Sequence, residues 1–364
     1  GMTIATTRPE TMLADGALSL REAGRVASAN FVGYLVGAMV AARIVDPGAQ
    51  SRFARAGLVA TALTLVAMAA TGGAGAWMAI RFASGVASAI ALVFVSTQVV
   101  ARLGAIGETD RTIVLFAGVG IGIAASAVTT QAVLAAGGSW RAAWAAAAVM
   151  AAAFGAYAWS GAGPAVPTAT APSAASPAPA TSPAPRAVAA TTLAYGLFGL
   201  GYVIHATYLP AMVRAAGYPP SAAAWVWVLV GLASLPSIAA WRAVSRRFGA
   251  RAAIAGCYAV EGVTALVPLA GDSIAWAAIA AAGLGATFIP ITGLALPFAR
   301  SLDPARASRA IGTMTAAFGA GQIVGPVAAA YLAEGRGFAG PSILACVVLL
   351  SAAGGMAPRR DAAG

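Results

Sequence analysis

Long apolar runs leave this chain few folds. About 20 consecutive apolar residues suffice to cross a hydrocarbon core as a helix, and such runs recur from residue 26 to residue 357 with only short breaks. Backbone in lipid has no water to bond, so each run must satisfy its N–H and C=O groups as a helix or within a closed barrel. These runs are continuously apolar rather than alternating, which argues against barrel strands. The balance of the sequence agrees with an all-α membrane protein. Sixty per cent of the 364 residues are hydrophobic and 9% are charged, against about 25% charged in a soluble domain.

The predicted spans are eleven: 26–45, 57–73, 76–101, 112–136, 140–160, 188–213, 222–241, 252–270, 274–299, 310–333 and 338–357. Only the glycine-rich stretch Thr71–Gly75 separates the second from the third. Residues 1–25 hold Arg8, Glu10, Asp15, Arg21 and Glu22 without a long apolar run. They read as a non-spanning N-terminal segment, neither a span nor a signal peptide. The stretch Pro164–Pro185 is almost wholly Pro, Ala, Ser and Thr, too rich in proline for a helix and too poor in bulk for a core. Residues 161–187 are therefore expected to form a cytoplasmic linker between a five-helix bundle, 26–160, and a six-helix bundle, 188–364.

Every basic residue is an arginine, and the net charge is +11. The arginines fall between the apolar runs, which is how topology is encoded in a membrane protein, so nucleic acid is not the expected partner. The rich loops carry Arg43, Arg52 and Arg55; Arg102 and Arg111; Arg186; Arg242, Arg246, Arg247 and Arg251; Arg300, Arg306 and Arg309; and finally Arg359 and Arg360. The alternate loops carry only Arg141, Arg214 and Arg336, with Arg8, Arg21 and Arg25 ahead of the first span. This bias predicts a cytoplasmic C-terminus. The expected location is a bacterial inner membrane. Cys257 and Cys346 sit in apolar runs, so a disulfide framework is not expected. His205 is the only histidine, which removes every two-histidine metal motif. No cofactor or metal is expected.

The two halves resemble each other. Ser51-Arg52-Phe53-Ala54-Arg55-Ala56 matches Arg246-Arg247-Phe248-Gly249-Ala250-Arg251, and Ala101-Arg102 with Arg111 matches Ala299-Arg300 with Arg309. A glycine-rich helix follows each pair, with Gly118, Gly120 and Gly122 in one and Gly319, Gly321 and Gly325 in the other. Agreement on one offset indicates a duplicated unit. The glycines are expected to be close-packing positions. Shifted back by the same offset, helix 188–213 would precede residue 19, so the opening helix of a six-plus-six design is expected to be missing.

Two helical halves around a long central linker resemble the major facilitator superfamily. Arg81-Phe82-Ala83-Ser84-Gly85 is similar to the R-x-x-x-G of that family's fourth helix, Trp140-Arg141-Ala142-Ala143-Trp144 to its turn into the sixth, and Arg246–Arg251 to its basic loop between the eighth and ninth. The finer resemblance is to the YbfB/YjiJ-type transporters. It rests on Ala27–Ala38 for their second helix, Tyr195–Tyr202 and Ala206–Pro210 for their seventh, and Thr287–Pro290 and Gly319–Pro326 for their tenth and eleventh. The resemblance runs from residue 12 to about 357. It implies a major facilitator fold of two pseudo-repeated bundles, with about 11 of 12 helices present. It also implies secondary transport of a small solute by alternating access, the halves rocking about a midplane site.

Charge and polarity deep in these runs nominate the site. A charge at a helix centre costs about 2.5 to 3.5 kcal/mol on insertion scales, so it needs a partner, a cavity or a way to the interface. Arg81 lies inside its span, and the resemblance makes it a gating or coupling residue; reaching up to the interface is its structural alternative. Glu261 is the only acid deep in a predicted span, which makes it a proton-coupling candidate or a side-pocket acid. His205 can exchange a proton or contact solute, and Tyr202, Thr207 and Tyr208 share its stretch of helix. Asn30, Gln98, Gln131 and Gln322 could bind solute or bond a neighbouring helix. The expected partners are a small-molecule solute, the lipid bilayer and protons, and the expected state is a monomer. A transport-inactive fragment or sensor of the same fold is the rival reading. An enzyme is not expected, since no G-x-S-x-G, H-E-x-x-H or deep acid pair is present.

Overall fold

The computed structural model describes residue 12 and residues 16–107, 113–160, 185–303 and 306–357. Arg8, Glu10, Asp15, Arg111, Arg359, Arg360 and nearly all of the linker lie outside the described residues. Among the described residues there are eleven α-helices and no strand. They are α1 Leu20–Ala41, α2 Pro47–Ala70, α3 Ala74–Ala105, α4 Ile113–Ala135, α5 Trp140–Ser160, α6 Pro185–Ala215, α7 Pro220–Phe248, α8 Ala250–Leu266, α9 Ile274–Leu302, α10 Ala307–Arg336 and α11 Ala339–Met356. Ten are long and apolar enough to cross a membrane. The exception is α1, whose apolar run is diluted by Arg21, Glu22, Arg25 and Asn30.

Capping accounts for the two largest departures from the predicted helix starts. α1 begins at Leu20 rather than 26, inside the segment expected to be non-spanning, because Ser19 and Glu22 form a capping box. The Ser19 amide donates to Glu22 Oε2 at 2.8 Å, while the Glu22 amide donates to Ser19 Oγ at 3.3 Å. α2 begins at Pro47 rather than 57. Asp46 accepts from the Ala49 amide at 2.6 Å, and Pro47 occupies the first turn, where its missing N–H is no loss. Arg52 and Arg55, expected in a loop, therefore project from the first turns of a helix. α6 likewise starts at Pro185, within the expected linker. The break between α2 and α3 falls at the predicted glycines, Gly73 having a φ of +90°.

The chain divides into two compact units, residues 1–181 and 182–364. In the first, α3 packs on both α1 and α2, and α5 packs on α2 and α4. Glycine permits the α1–α3 crossing. A Cβ at Gly33 would collide with the Phe82 carbonyl, and one at Gly85 with the Asn30 carbonyl. Beside this crossing Trp77 meets Trp140 edge-on at 5.6 Å, over a core that includes Leu65, Met68 and Trp144. Arg141 closes the end of α2, donating to the carbonyls of Ala69 (2.8 Å) and Thr71 (2.9 Å).

In the second unit α6 packs on α10 and α11, α7 on α9, and α8 on α9 and α11. Arg251 closes the end of α11 through the Met356 carbonyl at 3.1 Å. Gly285 of α9 approaches the Val230 carbonyl of α7 as Gly85 approaches that of Asn30, which is one offset of 200 residues on both helices. The duplication inferred from sequence thus extends to the contact itself. The glycines of α4 and α10 depart from it. A Cβ at Gly321 would stand 2.6 Å from the Leu200 amide nitrogen, and one at Gly325 would collide with Val203, whereas Gly118 and Gly122 have nothing within 4 Å among the described residues. The expectation of close packing holds at Gly321 and Gly325 and fails at Gly118 and Gly122.

Candidate functional site

In the first unit the informative side chain is Arg81. It is the eighth residue of α3, about 10 Å along the axis at 1.5 Å per residue. Only 1% of its surface is exposed, and neither Nη1 nor Nη2 has a hydrogen-bond partner among the described residues. Its guanidinium carbon stands 5.9 Å from the Trp144 ring centre, a loose cation–π contact. Asn30 is buried on α1, where the backbone of α1 meets Gly85, one turn beyond Arg81. Gln98 lies far down α3, its Nε2 buried and unpaired. It lines a separate cavity between α2, α3 and α5. Gln131 lies on α4 with an unpaired Oε1. The sequence-nominated residues of this unit are therefore not one cluster.

The second unit is organised by an aromatic stripe on α6. Tyr195, Phe198 and Tyr202 recur at helical spacing and face Phe318 of α10 at 5.0, 5.3 and 6.1 Å between ring centres. Tyr202 also stacks on Phe288 of α9 at 6.0 Å, and Phe198 meets Tyr258 of α8 at 5.9 Å. The Tyr195 hydroxyl and Thr292 Oγ1 are 3.1 Å apart. His205 lies one turn beyond Tyr202, 5% exposed, and among the described residues neither ring nitrogen has a hydrogen-bond partner. Two nominated neighbours are occupied. The Thr207 hydroxyl donates back to the Val203 carbonyl at 2.6 Å, and Tyr208 is buried edge-on to Phe338 at 6.1 Å. Gln322 is buried on α10.

Glu261 sits apart on α8, fully enclosed. Its Oε2 is 3.1 Å from Thr287 Oγ1 of α9, and Oε1 has no hydrogen-bond partner among the described residues. Thr287 Oγ1 is also 2.8 Å from the Gly283 carbonyl. One hydroxyl proton cannot serve both acceptors. Both contacts are satisfied if the Glu261 carboxyl donates to Thr287 and Thr287 donates to Gly283.

A cavity of about 960 Å³ opens between α6 and α10. Leu193, Gly196 and Leu200 wall it on one side and Gly321 and Val324 on the other, while Asp303, Arg306 and Arg309 stand at one end. None of the nominated residues of this unit lines it. The sequence reading passed over this cavity and the aromatic partners. The Tyr195, Phe198, Tyr202 spacing was the available signal for the stripe. Among the described residues no group of three or more His, Cys, Asp or Glu could hold a metal ion.

The family model described as "Uncharacterised MFS-type transporter YbfB" matches residues 7–356. The chain belongs to this family of major facilitator transporters. No curated protein matches it. Among solved structures, a mutant form of the nucleoside transporter NupG superposes with a TM-score of 0.71 at 13% identity, over 98% of this chain and 94% of that one. A second NupG structure gives 0.67 at 13% identity, over 97% and 94%. At that identity the likeness is one of fold. Together these findings make the chain an integral membrane transporter and set the enzyme reading aside.

Proposed function

We propose that the chain moves a small organic solute as a secondary transporter, its two units exposing the solute alternately to either side of the membrane. The α6–α10 cavity carries this reading. Its volume, about 960 Å³, lies in the range of small-molecule sites, and apolar walls with a few charged groups at one end are the usual lining of such sites. Arg81 and His205 support it. Each is an enclosed polar group with unused hydrogen-bonding capacity in an apolar helix, and such groups are expensive to keep unless they meet solute, water or protons.

For proton coupling we assign His205 ahead of Glu261. His205 has both nitrogens available. Glu261 is engaged with Thr287, as a clasp between α8 and α9 would be. The test is uptake into proteoliposomes with a solute panel, with and without an inward proton gradient. Nucleosides belong in the panel because both neighbouring structures are of a nucleoside transporter. Saturable uptake that the gradient accelerates is expected, with Arg81→Ala losing uptake, His205→Ala losing the acceleration and Glu261→Gln keeping it. No accumulation above empty vesicles would refute transport of the panel. Full gradient-driven uptake by His205→Ala would refute the coupling assignment.

A further inference from the structure

The lining of the α6–α10 cavity narrows the class of solute, an inference that rests on reading that cavity as the solute site. The two helices run parallel there. A Cβ at Gly196 would meet Ala317, one at Gly321 would meet Leu200, and one at Gly325 would meet Val203. The lining extends from Val188 to Leu200 on α6 and from Arg309 to Val324 on α10, about 18 Å and about 22 Å of helix. The cavity is therefore a trench along the two helices. Val, Leu, Ala and Gly wall most of its length, and only Thr192 and Thr313 bring hydroxyls to it. The Thr313 hydroxyl turns back onto its own helix, 3.0 Å from the carbonyls of Arg309 and Ala310.

Charge gathers where α10 begins. Arg306 and Arg309 bring two guanidiniums to the lining against one carboxylate, Asp303, and Asp303 Oδ1 already accepts the Arg306 amide at 3.1 Å. Each guanidinium presents a fork of N–H donors that fits an oxyanion. The chain beside them adds no acid, since residues 161–187 and 304–309 contain neither Asp nor Glu. A solute rich in hydroxyls would leave them against Val and Leu without partners, which is costly. An apolar body covers the same wall with a gain in free energy. We infer that the solute is an elongated amphipathic organic anion. Its carboxylate is held by Arg306 and Arg309, and its aliphatic or aromatic body lies along the trench between α6 and α10.

The test is equilibrium binding to the purified full chain in phosphatidylcholine nanodiscs, with empty nanodiscs subtracted, run beside uptake into proteoliposomes. The probes are phenylbutyrate, the longer phenylhexanoate, the neutral phenylbutyramide, the zwitterion phenylalanine and uridine. Phenylbutyrate is expected to bind more tightly than the last three, and phenylhexanoate roughly tenfold more tightly still, since it buries two further methylenes. The double variant Arg306→Gln, Arg309→Gln is expected to weaken phenylbutyrate binding roughly thirtyfold, two charge-assisted contacts. Both positions are exposed, so the fold does not rest on them. Ala320→Phe, at an exposed point of the wall, fills the trench and weakens the acid and its amide alike. The matched pair Arg246→Gln, Arg247→Gln, exposed at the end of α7, leaves binding unchanged. Phenylbutyramide, phenylalanine or uridine binding as tightly as phenylbutyrate overturns the proposal. So does unchanged binding in the Arg306, Arg309 variant, or equal loss in the Arg246, Arg247 control, which would mean surface charge alone. Binding of phenylbutyrate without accumulation of any solute upholds this site and refutes transport. Accumulation of another solute with no binding of phenylbutyrate upholds transport and overturns this inference.

Discussion

The α1–α3 crossing makes the sharpest prediction, because Gly85→Ala adds one carbon at a place where only backbone stands. That carbon would lie 2.7 Å from the Tyr34 amide nitrogen and closer still to the Asn30 carbonyl oxygen, while real Cβ contacts stay beyond 3.0 Å. Neither atom can rotate away, since both belong to the hydrogen-bonded ladder of α1. The whole helix must therefore move relative to α3. Overpacking costs about 1–3 kcal/mol, and a clash with backbone on both sides belongs at the upper end, about 2–3 kcal/mol; alanine returns about 1 kcal/mol of helix propensity over glycine. The net loss is about 1–2 kcal/mol, or about 2–8 °C in melting temperature for a unit of this size. Tryptophan fluorescence melting of the detergent-solubilised protein reads it. Gly285→Ala, facing Val230 and the Ala233 Cβ at 2.9 Å, should fall by a similar amount. Gly118→Ala, with open space around it, should hold or rise by up to about 1 kcal/mol. If Gly85→Ala melts with the wild type, backbone contact at the crossing is not what holds α1 to α3.

Two further outcomes follow from the second unit. Glu261→Gln should melt within about 1 kcal/mol of the wild type, because its amide can donate to Thr287 as a neutral carboxyl would, whereas Glu261→Ala should lose about 2 kcal/mol through the cavity it leaves. Equal melting of the two variants would show that the Thr287 contact contributes nothing. Phe318→Leu should lose about 1–2 kcal/mol, since one ring faces Tyr195, Phe198 and Tyr202. A double-mutant cycle with Phe198→Leu, read by the same melt, should show coupling between the two rings.

Helices were legible in the sequence because lipid imposes one rule along their whole length. Their ends were less so, because a helix end is set by a few side chains. Ser19 with Glu22 and Asp46 with Pro47 are capping signals in plain sight, yet hydropathy alone placed both starts too late. The site was legible only where burial of polarity is itself the signal. Arg81, His205 and Glu261 are as enclosed as their apolar surroundings implied. Thr207 was nominated by the same reasoning, but its hydroxyl is taken up one turn back by Val203, a local bond open to any threonine in a helix. Arg55 is the opposite case. Read as a loop cation, it needed no partner, whereas on α2 its guanidinium turns onto Trp159. The rings facing the Tyr195, Phe198, Tyr202 stripe come from three other helices, and no local pattern could have paired them.

The glycines of α4 and α10 mark the limit of reading packing from periodicity. Both helices offer small residues at similar spacing, and sequence treats them alike. On α10 the offer is taken up. α6 lies against Gly321 and Gly325 closely enough that a methyl group would strike its backbone or Val203. On α4 the same spacing at Gly118 and Gly122 meets no atom of the described residues within 4 Å. A glycine permits two backbones to approach, but the approach stabilises a bundle only through the dispersion contacts and hydrogen bonds that the second helix brings. Substitution separates the two cases. Alanine at Gly321 must displace α6, whereas alanine at Gly118 only adds a helix-favouring methyl group.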